Sequence, residues 1–434
     1  MTYNDAIVYI TDALKFGINP GLQKIKKVCN LLDDPQLKYP TIHITGTNGK
    51  TSTAWMIAGL LMKSGLKTGC YTSPHLHSYR ERISINGQMI SEDDFAKSLM
   101  AIKPALEKAK AKHGDLTEFE ILTAMAFHYF AERKVDVAVF EVGLGGRWDA
   151  TSVIQPKVAV ITGIALDHTD RLGNTIEEIA WDKAHIIKQG CIAVVGNAKD
   201  GALEQIKDRC KSERAHMKLL GKDFSAYNVS IYKNKGSHFS IDGIFACYED
   251  INLRALGKYQ IGNFTMAVAA LEAFNGAAVD VNLLREAASE IICPGRFELV
   301  ARQPMVVLDG AHNPDGLKAL IEELPQFFTF SNLLVVLAIS NDKDIKNMLR
   351  LLESRASLII FTKNQSPRSA DISQLANVVS QITNSYIIEP SLEKAINLAI
   401  SRASVDGLVC VTGSLYTVAD AREILVRRNV SVTT

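Results

Sequence analysis

Hydrophobic residues in this chain occur in short runs that look apolar on both faces, and segments with helical periodicity separate these runs. Runs that are apolar on both faces are typical of central strands in a parallel sheet. The first part of the chain contains such runs at residues 41–45, 135–142, 158–162 and 191–195. A helical pattern at residues 51–64 follows the first run. This alternation predicts a doubly wound α/β domain with a parallel sheet.

The same alternation starts again after Pro294 and Gly295. Further apolar runs lie at residues 305–308, 333–339, 358–362, 386–388 and 408–412. We therefore predict two domains, at residues 1–294 and 297–434, of which the second is a smaller α/β domain. Residues 221–256 alternate between apolar and polar side chains and include an Asp-Gly turn, so they predict an antiparallel hairpin or meander attached to the first domain.

Composition excludes several classes of protein. The chain has 434 residues, of which 47% are hydrophobic, and its net charge of +1 comes without any Lys/Arg-rich block, so nucleic acid is not an expected partner. No run approaches the ~20 apolar residues of a membrane span, and the amino terminus lacks the positive charge of a secretory signal. We expect a cytoplasmic protein without membrane contact. The seven cysteines include no C-x-x-C pair, which argues against a zinc knuckle.

A glycine-rich loop with a Lys-Thr pair follows the first apolar run. Gly46 and Gly49 allow backbone amides to turn around an anion, and Lys50 adds a full positive charge before a helix. Either Thr51 or Ser52 offers a hydroxyl to Mg²⁺. The spacing is shorter than the strict Walker pattern, which requires a glycine where this chain has an isoleucine. The loop predicts nucleotide binding, and a plain strand-to-helix turn is the alternative.

Polar residues follow other apolar runs at the point where each predicted strand ends. Glu141 precedes a glycine cluster at residues 143–146, and His168 lies in the sequence Asp-His-Thr-Asp. Glycines there permit close approach of a ligand or of another loop. Ligands of open α/β sheets gather at the carboxyl ends of the strands, so these side chains predict a Mg²⁺ shell. Because Mg²⁺ prefers oxygen, a hydrogen-bonding role for His168 remains the alternative.

Lys183 lies on the predicted buried stripe of a helix. This stripe consists of Ile176, Ile179, Ala180 and Ile187. An unpaired cation that faces inward costs several kcal/mol, so either the amine reaches outward along its stem or another group neutralises it.

Together, these motifs resemble the folylpolyglutamate synthase and dihydrofolate synthase family, within the Mur ligase superfamily of ATP-dependent amide-forming enzymes. The resemblance covers most of the chain and rests on residues 46–50, 72–76, 141–147, 166–169, 294–298 and 309–314. It implies a P-loop central domain of the Mur ligase type with a parallel sheet and a small β hairpin or meander. A smaller Rossmann-like C-terminal α/β domain follows.

The resemblance also implies a role for each matching residue. Residues matching the ATP site are Gly46, Thr47, Asn48, Gly49, Lys50, Thr51, Ser52, Asn263, Arg296 and Asp309, with His312 near the phosphates. Residues matching the Mg²⁺ ligands are Ser73, Glu141 and His168, together with Thr51 or Ser52. Lys183 matches a lysine that CO₂ carbamylates, and the resulting anion explains its inward position. The residues expected to be catalytic are Lys50, Lys183, His168 and His312. Those matching the folate pocket are Thr117, Phe119 and Glu120, with Phe119 as a ring-stacking candidate.

Three positions depart from the family pattern. Thr51 stands where the family usually has glycine, and the cell-wall Mur ligases have threonine there. Trp148 replaces the common leucine. His185 replaces a glycine two residues after Lys183, so on a helix its side chain points elsewhere and is predicted to be structural.

The implied reaction is ATP-dependent ligation of L-glutamate to folate, to dihydropteroate or to both, through an acyl phosphate. The resemblance further implies a monomer. The nearest alternative is a cell-wall Mur ligase, which Thr51 favours. The sequence at residues 73–75 disfavours it, as do the few residues before the phosphate loop, which leave no room for a UDP-binding domain. A P-loop nucleotide switch is the alternative from another class, although the sequence has no Asn-Lys-x-Asp motif.

Overall fold

The computed structural model describes residues 1–16, 21–198, 200–341, 343–364, 369–370 and 385–427. The chain separates into two units, each with its own core. The first unit comprises Met1–Asn228, Phe239–Ile251 and Tyr259–Ala288, and the second comprises Val229–His238, Asn252–Lys258 and Ser289–Thr434. The domain limits of 1–294 and 297–434 remain a prediction.

The strands are β1 (Thr41–Thr45), β2 (Thr68–Tyr71), β3 (Ile83–Ile85), β4 (Gln88–Met89), β5 (Val137–Glu141), β6 (Val158–Gly163), β7 (Ile192–Asn197), β8 (His216–Leu219), β9 (Ser225–Tyr232), β10 (Gly236–Asp242), β11 (Cys247–Leu253), β12 (Glu298–Arg302), β13 (Met305–Leu308), β14 (Leu333–Leu337), β15 (Leu358–Lys363), β16 (Tyr386–Ser391) and β17 (Leu408–Thr412).

The helices are α1 (Tyr3–Asp12), α2 (Gln23–Leu31), α3 (Lys50–Lys63), α4 (Glu92–His113), α5 (Glu118–Glu132), α6 (Thr169–Leu172), α7 (Ile176–Ala184), α8 (Asp200–Ser212), α9 (Lys258–Asn275), α10 (Val281–Glu290), α11 (Pro314–Phe327), α12 (Ile345–Glu353), α13 (Leu392–Arg402) and α14 (Leu415–Arg427).

The first unit is built on an eight-stranded sheet with the order β4-β3-β2-β5-β1-β6-β7-β8. The neighbouring strands β2, β5, β1, β6, β7 and β8 all pair in parallel. At the other edge, β3 pairs antiparallel with β2, and β4 pairs antiparallel with β3. All residues of β1 and β5 are buried, including the polar Thr41, His43 and Thr45 of β1 and Glu141 at the end of β5. The carboxyl ends of β2, β5, β1 and β6 are neighbours, so the residues that follow these strands meet at one edge.

The core beside this sheet is rich in aromatic rings. Phe140 of β5 packs against Phe127 and Phe130 of α5, with ring centroids 5.0 and 5.7 Å apart. All three rings are fully buried. Burying an aromatic side chain contributes roughly 1.5–3 kcal/mol, so this contact fixes α5 against the sheet. The amino-terminal end of α5 consequently lies in a fixed place beside the site described below.

The sheet of the second unit has the order β12-β13-β17-β14-β15-β16. β12 pairs antiparallel with β13, and the other pairings are parallel. The predicted runs at 305–308 and 408–412 match β13 and β17. β14 is shorter than predicted, because 338–339 lie beyond the end of the strand, while β15 and β16 are longer. Both predicted α/β sheets are therefore confirmed, with corrected ends.

The segment predicted to form a hairpin or meander contains a three-stranded sheet with the order β11-β10-β9. Short turns join its consecutive strands, one of them closed by a hydrogen bond from the Gly243 amide to the Ala246 carbonyl at 2.9 Å. Within the described ranges, no helix combines the length and apolarity needed to cross a bilayer.

Candidate functional site

The turn between β1 and α3 has a shape that only glycine permits. Gly49 has φ of 84°, in the left-handed region, and a Cβ atom there would lie 2.6 Å from the Asn263 Oδ1 atom. A Cβ atom on Gly46 would lie 1.9 Å from the Thr162 Oγ1 atom. Asn263, which was predicted to contact the nucleotide, therefore packs directly against the loop.

Hydrogen bonds from the end of β6 hold this loop in place. The Thr47 amide donates to the Gly163 carbonyl at 2.9 Å, and the Thr162 hydroxyl donates to the Asn48 carbonyl at 2.6 Å. Gly49 stands at the N-cap position of α3 and has no side chain with which to cap the first turn. The amides of that turn, with the positive end of the helix dipole, are therefore suited to bind a phosphate.

Two lysine amines converge on one carbonyl oxygen of the loop. The Lys50 Nζ atom lies 3.0 Å from the Gly46 oxygen, and the Lys183 Nζ atom lies 2.9 Å from the same oxygen. Burial lowers the pKa of Lys183 to about 7, and repulsion from Lys50 adds to the effect. A large fraction of the Lys183 amine is consequently neutral near pH 7.

The position of Lys183 decides between the two alternatives for its stripe. The side chain does not reach outward, because only 4% of the residue is exposed. Ile179 and Ala180 are buried as predicted. Ile176 is 39% exposed, so its assignment to the buried stripe was wrong. It lies at the first turn of α7, where the helix has not yet reached the core.

Glu141, at the end of β5, lies between two other predicted metal ligands. The Thr51 hydroxyl donates to the Glu141 Oε1 atom at 2.7 Å, and the Ser73 amide donates to Oε2 at 3.0 Å. Ser52 lies elsewhere, because its hydroxyl accepts a hydrogen bond from Gln260 at 3.4 Å. Of the two hydroxyls left open by the sequence, the one that faces the buried carboxylate belongs to Thr51.

His168 lies with Lys183 rather than with the Glu141 group. Both border a small cavity of about 20 Å³ whose other lining residues are Gly46, Thr47, Lys50, Gly143, Leu144, Gly145, Asp167 and Leu172. The His168 Nε2 atom is 3.8 Å from Asp167 Oδ2, and 39% of the imidazole is exposed. Within the described residues, His, Cys, Asp and Glu side chains do not gather in groups of three that could hold a metal. A metal here would therefore depend on hydroxyls and substrate oxygens as well.

Asp149 was missed by the sequence interpretation and organises the glycine loop after β5. Its carboxylate accepts from the amides of Gly143 and Leu144 at 2.9 and 3.0 Å and from the Thr151 amide at 2.9 Å. Burial raises the pKa of this carboxyl group, while these hydrogen bonds oppose the rise. Its position directly after Gly-Gly-Arg-Trp is a signal for a loop-capping carboxylate.

The predicted folate residues have different surroundings. Thr117 and Glu120 form a capping box at the start of α5, in which the Thr117 amide donates to Glu120 Oε2 at 2.8 Å and the Glu120 amide donates to the Thr117 hydroxyl at 3.2 Å. Phe119 lies 5.9 Å from Tyr71 and against Gly143, where a Cβ atom would be 2.8 Å from the Phe119 ring. Thr117 and Glu120 therefore stabilise the helix, and Phe119 presents its ring to the glycine loop.

In the second unit, the predicted residues cluster after β13. The Asp309 carboxylate accepts from the amides of Phe297 and Ala311, both at 2.8 Å. The His312 Nδ1 atom lies 2.9 Å from the Gly310 carbonyl oxygen. Arg296 also lies here, because a Cβ atom on Gly310 would be 3.0 Å from its Nη1 atom. Asp309 thus joins two turns through backbone hydrogen bonds, a role that its residue type alone did not predict.

Two family models match the chain. The Mur ligase middle domain matches residues 44–271, and the glutamate ligase domain of Mur ligases matches residues 295–415. The first match covers more than half of the chain and includes the phosphate loop, Glu141 and Lys183. The second includes the cluster after β13.

Relatives match over nearly the whole length. A dihydrofolate synthase/folylpolyglutamate synthase of Bacillus subtilis is 38% identical over 98% of this chain and 99% of that protein. A solved structure of Mycobacterium tuberculosis folylpolyglutamate synthase complexed with ADP and AMPPCP has a TM-score of 0.92 at 36% identity and covers 97% of this chain and 98% of that chain. Escherichia coli FolC in complex with DHPP and ADP has a TM-score of 0.87 at 30% identity, covering 99% and 98%. These matches confirm the predicted family resemblance and fold class.

Proposed function

The chain belongs to the folylpolyglutamate synthase and dihydrofolate synthase family of the Mur ligase superfamily, and we propose that it uses ATP to join L-glutamate to a folate. The observation that carries this proposal is the convergence of the Lys50 and Lys183 amines on the Gly46 carbonyl, beside an uncapped helix amino terminus. The Lys50 cation and the loop amides suit a transferring phosphoryl group, and the largely neutral Lys183 amine lies beside them. Relatives named for this activity support the substrate class.

The reaction requires activation of a carboxylate, which is a poor electrophile. A carboxylate oxygen of the folate attacks the γ-phosphorus of ATP, and the bond to ADP breaks, so an acyl phosphate forms. The amine of L-glutamate then attacks the acyl carbon and loses a proton, and phosphate leaves. Lys50 and the loop amides bind and orient the phosphates, which places the reacting atoms and offsets their negative charge.

The residues around Glu141 fit Mg²⁺. This ion prefers oxygen ligands and commonly binds one or two carboxylates together with substrate phosphates. Glu141 is a buried carboxylate with the Thr51 hydroxyl at 2.7 Å, and Ser73 follows the neighbouring strand, so these residues would hold the ion. Bound Mg²⁺ would neutralise charge on the phosphates. In this proposal Ser52 does not bind the metal, and its hydroxyl only helps to hold the phosphate loop. His168 contributes to metal binding from the side of the cavity that contains Lys183.

Carbamylation of Lys183 is part of the same proposal. A neutral amine attacks CO₂ and loses a proton, which gives a carbamate anion. The pKa of about 7 makes this neutral form available. A carbamate would replace a buried cation beside Lys50 by an anion, which removes the repulsion between the two amines. Together with His168, it would form an anionic side of the cavity.

Other assignments also belong to the proposal. We assign Asn263, Arg296, Asp309 and His312 to nucleotide and phosphate contacts, and the segment 117–120, through Phe119, to the pteridine ring. A monomeric state and a cytoplasmic location follow from the family resemblance.

Measurement of ADP release in the presence of L-glutamate tests the function. The substrates to compare are dihydropteroate, tetrahydrofolate and a UDP-linked sugar peptide, each with and without glutamate. We expect release only when a folate or dihydropteroate and glutamate are both present. ADP release with the sugar peptide as the only active acceptor would identify a cell-wall ligase. ADP release at the same rate with or without any acceptor would identify a nucleotide switch. The ratio between the first two substrates decides whether the enzyme has one activity or both.

A further inference from the structure

A stack of aromatic and cationic side chains lies on the surface beside the helix that carries Lys183. The Arg147 guanidinium carbon is 4.4 Å from the centre of the Trp148 ring and 4.7 Å from that of Trp181. Both tryptophans are 44% exposed. The His185 ring extends the stack, at 4.5 Å from Trp181 in an edge-on arrangement. Cation–π contacts of this kind hold two segments of chain together.

This stack joins two segments that are distant in sequence, the glycine loop after β5 and helix α7. Trp148 and His185 are two of the three positions at which this chain departs from the family pattern, and both join the stack. These two departures therefore belong to one structural feature rather than to two unrelated ones.

The loop and the helix also touch through their backbones. A Cβ atom on Gly146 would lie 2.7 Å from the Lys183 carbonyl oxygen, and one on Gly145 would lie 2.2 Å from Asp182 Oδ1. The Arg147 amide approaches Asp182 Oδ1 at 3.4 Å. The two glycines have no side chains that could interlock with α7. The side-chain contact between loop and helix therefore comes from Arg147, whose guanidinium lies over the Trp181 ring of α7.

The contact between Arg147 and α7 bears on the position of the Lys183 amine. Lys183 is on the last turn of α7, two residues after Trp181, and its Nζ atom reaches the Gly46 carbonyl at 2.9 Å. A small shift of a nine-residue helix relative to the loop would move the amine out of hydrogen-bond range of that oxygen.

We propose that Arg147 is a positioning residue, which stacks between Trp148 and Trp181 and thereby holds α7 where the Lys183 amine reaches the phosphate loop. The inference rests on the proposed function in so far as it takes Lys183 to be the carbamylated residue. Arg147 itself touches no reacting atom in this proposal.

The test measures the position of the Lys183 amine directly. Purified full-length protein is treated with an isotope-coded amine-reactive ester, and mass spectrometry follows the labelling rate of Lys183. Arg147→Met keeps an unbranched apolar stem and removes the guanidinium group. Trp181→Leu removes the ring that α7 contributes to the stack. Arg285→Met is the matched control, because Arg285 donates to the Glu249 carbonyl on another face of the same unit. Cation–π contacts of ordinary strength predict that both test variants speed Lys183 labelling about tenfold.

Carbamate occupancy gives the second readout. Carbon NMR with ¹³C-labelled bicarbonate should show a weaker carbamate signal in Arg147→Met, a kcat about tenfold lower and a KM for the folate within about twofold of wild type. Arg147→Lys keeps a cation over the rings and should restore most of the signal. Labelling and carbamate signals equal to wild type in Arg147→Met, or equal losses in the Arg285 control, would overturn the inference. If the wild type makes no carbamate and releases no ADP, the proposed function fails, and the labelling rates still decide the role of Arg147.

Discussion

Replacement of Lys183 by methionine should stabilise the protein while it abolishes the activity. The buried amine has a pKa of about 7 in the folded chain, whereas the ordinary value is 10.5. Between these values the unfolded chain binds a proton that the folded chain does not, so the stability of the wild type rises with pH across this window. Below pH 7 both states are protonated, and the full cost of burying the charge remains.

The magnitude follows from the difference between the two pKa values. The shift from 10.5 to about 7 corresponds to about 5 kcal/mol of destabilisation, at 1.36 kcal/mol per pKa unit. The hydrogen bond from Lys183 to the Gly46 carbonyl, lost in the variant, offsets about 1–2 kcal/mol. Lys183→Met is therefore expected to gain about 3 kcal/mol in free energy of unfolding at pH 7 in CO₂-free buffer. The gain should shrink by about 1.4 kcal/mol for each pH unit above 7.

Urea denaturation followed by tryptophan fluorescence measures this gain. Trp55, Trp148 and Trp181 are the three tryptophans of the chain, and all lie in the first unit, so the signal reports the unit that contains Lys183. Lys63→Met, which removes a surface ion pair with Glu286, is the control and should change stability by less than about 1 kcal/mol. A variant that is less stable than the wild type at pH 7, or a difference that does not change between pH 7 and 10, would refute the reasoning.

Three further substitutions test other parts of the site. Lys50→Ala should lower kcat at least about 10²-fold with little effect on thermal unfolding, and a loss below about tenfold would argue against its role at the phosphates. Gly49→Ala should weaken ADP binding in calorimetry, because the new methyl group would meet a side chain of α9, whereas Gly65→Ala, with nearly the same φ of 85° and open space around it, should bind ADP normally. Lys24→Met removes the partner of buried Glu120, whose Oε2 atom is 3.6 Å from the lysine Nζ atom. The free energy of unfolding in urea should fall by about 3 kcal/mol, and Glu120→Gln in the same chain should partly restore it. An unchanged midpoint would contradict a buried ion pair.

The elements that the sequence predicted best are the central parallel strands. β1, β13 and β17 have the predicted ends, because turn residues follow each of them directly. β13 and β17 are buried and almost wholly apolar, whereas β1 is equally buried although it alternates isoleucine with threonine and histidine. The short strands β3 and β4 were not predicted. They lie at the sheet edge and are partly exposed, so their sequence carries no uniform apolar run.

The phosphate loop was predictable because its chemistry is local. The glycines, the lysine and the hydroxyl of residues 46–51 lie within one turn, and their order suffices to predict an anion site. The pairing of Lys183 with Gly46 joins residues 137 positions apart. Periodicity placed Lys183 on a buried stripe, but what that stripe faces depends on the order of strands in the sheet, which periodicity does not contain.

The glycine cluster after β5 shows why residue types alone leave such a site ambiguous. Glycine is required either where backbone amides surround an anion or where two segments touch, and both needs select the same residue. Here the amides of Gly143 and Leu144 are bound by Asp149, while Gly145 and Gly146 lie against α7. The cluster therefore packs against a helix as well as bordering the cavity. Through that packing it sets the position of Lys183, which gives the loop a second way to influence the reaction.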